Sequence, residues 1–246
     1  MSWATVAGHR TGDNPARWGG NLKELLPAAS KVAVKQNHPA VQLGDAPRWF
    51  GALRKLEGFG SRALEFAALT ALRSKEVRGT RWEEIDLDSG IWIAPAIRMK
   101  MKREHRVPLA PAAIDLLRSL PRLSDNPLVF PGKAGGVLSD MTLSATMRRM
   151  HEADIANGGP GFLDRVSKRP AVPHGLRSTF SDWVSERTRY PAQMADFALA
   201  HKIANAVEAA YRRGDMLEKR RQLMTDWANF LEGTETSDAT IIEWVA

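Results

Sequence analysis

The chain has 246 residues, of which 43% are hydrophobic, and a formal net charge of +7. This length suits one large domain, or one domain with part of a second, and the hydrophobic share argues against a disordered chain. The lack of cysteine excludes disulfides, thiolate metal sites and cysteine nucleophiles. No stretch approaches the roughly 18 continuous apolar residues of a membrane span, and the N-terminus has no apolar signal-peptide core, so we expect a cytoplasmic protein without a membrane partner. The positive charge favours a polyanion such as nucleic acid, although a merely basic protein would have the same balance.

The first 44 residues do not have the pattern of a complete domain. A short helical pattern runs from Asn14 to Leu26 and ends at Pro27, and the basic segment KVAVKQNHP (31–39) follows without periodicity. A helix this short is not stable alone. We interpret residues 1–44 as the remnant of a preceding domain plus a linker, and an ordinary N-terminal arm is the alternative.

A compact domain is predicted from residue 45 to residue 232. Its first helix begins at Asp45-Ala46-Pro47, a capping residue followed by proline in the first turn. The next helix opens at Ser61, and its run ALEFAALTAL (63–72) is apolar on all sides. Such a helix is expected at the centre of a core.

Arg73 follows this apolar helix directly. An arginine in that place is held firmly, as a phosphate-binding arginine must be, although a simple charge at a helix end is the plainer interpretation. Ser74 is predicted to cap the next helix, with Glu76 in its first turn.

A small β-structure is predicted next. β-favouring residues between positions 85 and 93 surround a turn at Asp88-Ser89-Gly90. The run IRMKMKREHRVPL (97–109) then predicts a strand, a basic tip and a returning strand. Lys100 and Lys102 alternate with methionines, so both lysines would point to one face of a mobile hairpin. A solvated basic hairpin is the alternative.

The C-terminal half is predicted to be mainly helical, which makes the fold class mainly α with a small antiparallel β-sheet or hairpin. Helical patterns cover 111–120, 139–150 and the region after Tyr211, and a Gly/Pro/basic loop covers 157–172. The tail 233–246 is polar and then apolar, and we expect it to dock, either on its own chain or on a neighbouring protomer. Basic residues outside the apolar stripes are candidate DNA contacts: Lys102, Arg103, Arg148, Arg149, Lys168 and Arg169.

The stretch from Pro173 to Tyr211 concentrates chemically active side chains. His174 and Arg177 are three residues apart, so they share a face of a helix, and His201 follows downstream. Tyr211 is one of only two tyrosines in the chain. Such a set suits a phosphate centre that is attacked by an oxygen nucleophile.

Four stretches, in order, resemble the catalytic domain of tyrosine recombinases, in particular phage and genomic-island integrases. ALTALRSKEVRGTRWEEIDL is similar to the family's first arginine box, and the 97–109 hairpin to its catalytic-lysine hairpin. PHGLRSTFSDW is similar to the HxxR box, and LAHKIANAVEAAYRR to the C-terminal box. The resemblance implies a set of catalytic residues and one supporting residue: Arg73, Lys100, His174, Arg177, His201 and the nucleophile Tyr211, with Glu76 in support.

The resemblance implies DNA cleavage and rejoining through a 3′-phosphotyrosine. Arg73 and Arg177 would grip the non-bridging oxygens of the phosphate, and Lys100 would protonate the leaving 5′-oxygen. It implies no metal, no cofactor and no ATP. The resemblance implies double-stranded DNA at attachment sites as the main partner. It also implies a chain that is monomeric when free and forms a tetramer on DNA, with accessory DNA-bending or excision factors.

Two positions depart from the family pattern. Ala71 stands where glycine usually precedes Leu-Arg, and Ala200 stands where the usual sequence is Leu-Gly-His. Either alanine would tighten a backbone turn that glycine would relax. Two other functions stay open from the sequence, a type IB topoisomerase and a non-catalytic DNA-binding regulator or remnant.

Overall fold

The computed structural model describes residues 2–14, 16–27, 37–201 and 215–234. By its contacts the chain divides into a small unit, Met1–Asn37, and a large unit, His38–Ala246. The large unit therefore begins a few residues before position 45, where the sequence led us to expect a boundary. Across the described ranges, no helix is both long and apolar enough to cross a membrane.

The small unit contains short helical pieces. Helix α1 covers Ser2–Val6, and a π-helical turn at Trp18–Leu22 runs into α2 at Lys23–Leu25. The second piece lies within the short helix that the sequence predicted between Asn14 and Leu26.

The large unit is mainly helical with one small sheet, which confirms the predicted fold class. Strands β1 (Ile85–Asp86), β2 (Ile91–Ala94) and β3 (His105–Pro108) form an antiparallel sheet in the order β1-β2-β3. The described helices are α3 (Ala46–Arg54), α4 (Phe59–Thr70), α5 (Ser74–Arg78), α6 (Pro111–Ser119), α7 (Met141–Ala156), α8 (Leu176–Arg187), α9 (Ala192–Ala198) and α10 (Leu217–Glu232).

Helix α4 is the centre of the core, as its apolar sequence predicted. Every residue from Ala63 to Thr70 is buried, and the helix contacts α3, α5, α6, α7 and α10. The indole of Trp227 in α10 donates a hydrogen bond to the carbonyl of Ala68 at 2.8 Å. Trp227 also packs on Phe180 of α8, with ring centroids 5.3 Å apart. The three helices that flank the predicted site are thus fixed to one another by buried aromatic contacts.

The predicted strand around Lys100 is wrong. Strand β2 ends at Ala94, and residues 95–104 form a loop of successive turns before β3. Two contacts hold the base of this loop: Arg98 forms an ion pair with Glu84, and Met99 is buried. These tertiary contacts override the alternating pattern, so the lysines do not line one face of a strand.

The segment that precedes α3 is built into the large unit. The carbonyl of Pro39 accepts a hydrogen bond from the backbone N–H of Val172 at 3.0 Å. The same carbonyl lies so close to Gly175 that a Cβ there would be 1.9 Å from its oxygen. Gly175 is therefore required for space: its φ of −64° suits any residue.

We predict that Gly175→Ala destabilises the large unit by about 1–3 kcal/mol, because the new methyl group meets rigid backbone rather than a side chain that can move. Urea unfolding measures the effect. The matched control is Gly51→Ala in α3, where a Cβ would meet nothing within 4 Å. That change should raise stability by up to about 1 kcal/mol, since alanine favours helix. Equal stabilities for both variants would contradict the packing argument.

Candidate active site

Arg73 is held at its backbone and at its side chain by one buried carboxylate. It is the N-cap residue of α5, and its backbone N–H donates to Glu76 Oε2 at 2.9 Å. Its guanidinium Nη1 donates to Glu76 Oε1 at 3.1 Å, and Glu76 is 1% exposed. Ser74 was predicted to cap α5, but its hydroxyl instead accepts a hydrogen bond from Arg78. Glu76 thus fixes the position of Arg73, and its supporting role in a reaction stays a prediction.

Arg177 is the buried cation of the site. It lies on α8 and is only 4% exposed. Its Nη1 donates to the carbonyl of Ala71 at 2.7 Å, and its Nη2 donates to the carbonyl of Leu199 at 2.6 Å. Burial and the nearby Arg73 lower the pKa of Arg177 to about 10, so it stays charged at neutral pH. A guanidinium has five N–H donors, and these two bonds leave others for a ligand.

The two carbonyls that hold Arg177 both belong to helix C-termini. Ala71 is the C-cap residue of α4, and Leu199 is the C-cap residue of α9. The end of a helix carries a partial negative charge on its free carbonyls. Arg177 is therefore stabilised by dipoles at these positions, and its full positive charge can still attract an anion.

Both alanines that replace the family's glycines have left-handed backbones, as expected for glycine positions. Ala71 has a φ of 52° and Ala200 a φ of 47°. Ala200 follows the C-cap of α9, and the next N–H, of His201, donates back to the carbonyl of Asp196 at 2.9 Å. This is the Schellman pattern, in which glycine is usual. The strain lies at the two corners to which Arg177 is bonded.

His174 lies where the predicted cations converge. Its pKa is lowered to about 4, first by loss of solvent and then by His38, Arg177, Arg73 and Lys100. The imidazole is therefore neutral at pH 7, with one donor and one acceptor nitrogen. The structure thus brings Arg73, Lys100 and Arg177 together around one histidine, although they come from distant parts of the sequence.

Lys100 is the exposed member of this group. It follows the buried Met99 in the loop 95–104, and within the described part of the chain it has no hydrogen-bonding partner. Its charge lowers the pKa of His174, which places it near that ring. An ammonium group without a partner is available to a ligand.

His201 lies at the end of α9 and is exposed. Its Nδ1 is 3.0 Å from Asp196 Oδ1, an arrangement that orients the ring and leaves Nε2 for a ligand. Its neighbour Leu199 is bonded to Arg177, so the turn that carries His201 is tied to the site. Tyr211 and the C-terminal part of the tail lie outside the described residues.

The six residues that the sequence suggested as DNA contacts are all exposed. Lys102 and Arg103 share the loop of Lys100, and Arg148 and Arg149 lie on α7. The remaining two, Lys168 and Arg169, lie in the loop before α8. Their contacts with DNA stay predictions.

Sequence reasoning missed His105 and Arg220. His105 lies on strand β3 and is half-buried, and Arg220 is buried and contacts the same strand. His105 Nε2 is 3.3 Å from the carbonyl of Ala198, and burial and Arg220 lower its pKa to about 4. Arg220, 1% exposed, donates from Nε to the carbonyl of Asp215 and from Nη2 to the carbonyl of Arg106, both at 2.8 Å. Strand β3 therefore holds the chain on both sides of the segment that contains Tyr211.

A signal for Arg220 was present in the sequence. It falls between Leu217 and Met224 at the spacing of the apolar stripe of α10, where a charged residue indicates a buried partner. Sequence reasoning also missed His38, whose ring contacts that of His174 and which lies in the linker without periodicity.

We predict that Ala71→Gly and Ala200→Gly each raise stability by about 1 kcal/mol, because a left-handed backbone is strained for alanine and not for glycine. Urea unfolding of each variant checks this. Ala153→Gly on the exposed face of α7 is the control, and it should lower stability by about 1 kcal/mol. Losses of equal size in all three variants would show that the corners are not strained.

Residues 55–218 match the phage integrase family. The prophage integrase IntA of Escherichia coli K12 is 32% identical over 212 residues, which cover 84% of this chain and 48% of IntA. The integrase of Enterobacteria phage P4 is 31% identical, with coverage of 84% and 48%. The chain thus spans about half the length of the curated relatives it matches.

Solved structures show the same fold at lower identity. A lambda integrase (75–356) dimer bound to a COC′ core site has a TM-score of 0.56 at 19% identity, over 82% of this chain and 67% of that one. The integrase of mycobacterium phage Brujita has a TM-score of 0.57 at 20% identity, over 97% and 70%. With the family match over residues 55–218, these findings establish that the chain belongs to the phage integrase family.

Proposed function

We propose that this chain is the catalytic part of a site-specific recombinase that cuts and rejoins double-stranded DNA through a 3′-phosphotyrosine. The observation that carries the proposal is the buried Arg177, whose hydrogen bonds to Ala71 and Leu199 join the corner before Arg73 to the turn before His201. The charges of Arg73, Lys100 and Arg177 also act on His174. Three cations beside a neutral imidazole are a suitable environment for an anion that gains charge during reaction.

A phosphodiester is negatively charged and repels a nucleophile, and the positive charges of the two arginines would reduce this repulsion. Arg73 and Arg177 would bind the non-bridging oxygens and stabilise the pentacoordinate transition state. Because Glu76 and the helix ends already hold these side chains, little reorganisation is needed when the phosphate arrives. The arginines would supply the charge that a metal ion supplies in other enzymes, so the proposed reaction requires no metal. The phosphotyrosine bond would keep the energy of the cleaved phosphodiester, so the reaction requires no ATP.

The histidines would complete the grip on the phosphate. His174, neutral when free, can donate one hydrogen bond to a non-bridging oxygen. A bound phosphate would also raise the pKa of His174, because it adds a negative charge beside the ring. His201, oriented by Asp196, would serve as the second histidine donor.

Tyr211 is assigned as the nucleophile by its place in the family motif. A free phenol has a pKa of about 10, and neighbouring guanidinium groups favour the phenolate. Its oxygen would attack phosphorus, form the phosphotyrosine bond and release a 5′-hydroxyl. Lys100 would donate the proton that the leaving oxygen takes. Attack by a 5′-hydroxyl on the phosphotyrosine reverses these steps and rejoins the strand.

Assembly on DNA is proposed from the relatives. One structure with this fold is a lambda integrase tetramer bound to a Holliday junction, with a TM-score of 0.56. We infer that this chain also acts as four copies on two duplexes and is monomeric when free, with accessory factors. We further propose that residues 1–44 are the end of a core-binding domain, that the tail 233–246 docks on a neighbouring protomer, and that the protein is cytoplasmic.

We predict that Tyr211→Phe abolishes the covalent protein–DNA adduct. The substrate is a library of nicked suicide duplexes with a random core, which traps the adduct because the released fragment diffuses away. A denaturing gel detects the adduct, and sequencing of the trapped DNA reports the site. Tyr190→Phe is the matched control, since Tyr190 is the other tyrosine and donates a hydrogen bond to Asp226.

Tyr190→Phe should retain the adduct. Adducts in both variants would exclude Tyr211 as the nucleophile. Binding without any wild-type adduct would favour a non-catalytic DNA-binding protein, and relaxation of supercoils without sequence preference would favour a topoisomerase.

We predict that Lys100→Ala slows cleavage by about 10²–10⁴-fold, the usual contribution of a general acid. The rate should recover when the 5′-bridging oxygen is replaced by sulfur, because a thiolate leaves without protonation. Lys102→Ala is the matched control from the same loop. It should lower the affinity for DNA, and its effect should be the same with oxygen and with sulfur as the leaving atom. If sulfur does not rescue Lys100→Ala, another group is the acid.

A further inference from the structure

The ring of His38 packs against the ring of His174. Their centroids are 4.4 Å apart, and the planes meet at 64° in an edge-to-face contact. His38 lies outside the four stretches that resemble the family. It is, however, the aromatic ring that the structure places against the histidine at the centre of the site.

The position of His38 is set by the segment that follows it. The carbonyl of Pro39 accepts the N–H of Val172, and the N–H of Ala40 donates to Asp164 Oδ2 at 3.2 Å. The carbonyl of Val41 accepts a hydrogen bond from the hydroxyl of Thr179 at 2.8 Å. Consecutive residues are thus bonded to the chain before the HxxR box and to helix α8 after it.

The contact with Gly175 makes this arrangement specific to the site. The carbonyl of Pro39 lies against the Cα of Gly175, the residue directly after His174, where no side chain fits. The backbone at Pro39 is therefore in direct contact with the backbone at Gly175. His38 and His174 are the residues directly before these two, so their rings are brought together.

We propose that His38 is a positioning residue for His174. Its ring holds the His174 imidazole in the orientation in which that imidazole donates to the phosphate. The proposal rests on the proposed function, because it assumes that His174 binds the phosphate that is cleaved.

The physical need for such a residue follows from the surroundings of His174, which is exposed to solvent although neighbouring residues cover part of its ring. An exposed histidine samples several rotamers, and only one of them suits the phosphate. Arg73, Arg177 and Lys100 are cations, and they repel a protonated imidazole rather than fix a neutral one. An edge-to-face aromatic contact favours one orientation of the ring, and its usual strength corresponds to roughly a 2–10-fold preference.

The first test is single-turnover cleavage by the full chain at saturating DNA, on the suicide duplex recovered from the library. His38→Ala should lower the cleavage rate constant about 2–10-fold, the range expected for a lost aromatic contact, and leave DNA affinity unchanged. His38→Phe keeps a ring at the same place and should retain most of the rate. Asn37→Ala, the exposed neighbour, is the control and should match the wild type.

Three results would overturn the proposal: a wild-type rate for His38→Ala, a rate for His38→Phe as low as that of His38→Ala, or a loss that lies in affinity alone. His38→Phe separates two roles of His38. If the His38 imidazole acted by proton transfer or hydrogen bonding, both His38→Phe and His38→Ala would lose the rate, whereas a positioning ring is lost only in His38→Ala.

A second measurement does not depend on catalysis. The NMR signals of the His174 ring in the free full chain, assigned with His174→Gln, should be shifted by the neighbouring ring. They should move towards ordinary values in His38→Ala and stay in place in Asn37→Ala. If the wild type forms no adduct, the proposed function fails, and this measurement still decides whether His38 positions His174. Unchanged His174 signals in His38→Ala would reject the contact.

Discussion

Arg177 is a nearly fully buried charge that is solvated by the ends of two helices. A buried cation is unstable unless polar groups replace the lost water, and here the carbonyls of Ala71 and Leu199 do so. A carboxylate in their place would neutralise the guanidinium, whereas carbonyl dipoles leave its charge available to a phosphate. The two bonds also join the chain after α4 to the chain after α9. The corners that present Arg73 and His201 are therefore fixed by the same side chain that binds the substrate in our proposal.

Much of the fold and part of the site could be predicted because the relevant signals are local. The apolar run 63–72 identified the central helix without knowledge of its neighbours, since a helix without a polar face has to be buried. The order of the short motifs indicated Arg73, His174 and Arg177, which the structure brings together. The alanines at positions 71 and 200 were recognised as unusual, and their positive φ values agree with that interpretation.

The rest depends on contacts that local patterns do not contain. The alternation around Lys100 is typical of a strand, but an ion pair from Arg98 to Glu84 and the burial of Met99 fold that stretch into turns. His38 lies in a segment without periodicity, and that segment is held by the space above Gly175 and by hydrogen bonds to Val172, Asp164 and Thr179. In both cases the conformation depends on contacts with residues outside the local stretch. Hydrophobic periodicity and intrinsic secondary-structure propensity carry no information about such contacts.

The anchoring of the chain at strand β3 has a consequence for the proposed nucleophile. Ala198 and Asp215, on either side of Tyr211, are both held at this strand through His105 and Arg220. A substitution at His105 or at Arg220 would remove one of these two attachments. It would change where the chain enters or leaves the segment of the proposed nucleophile, and it would leave Arg73, Arg177 and their hydrogen bonds in place. The two attachments therefore separate the placement of the nucleophile from the binding of the phosphate.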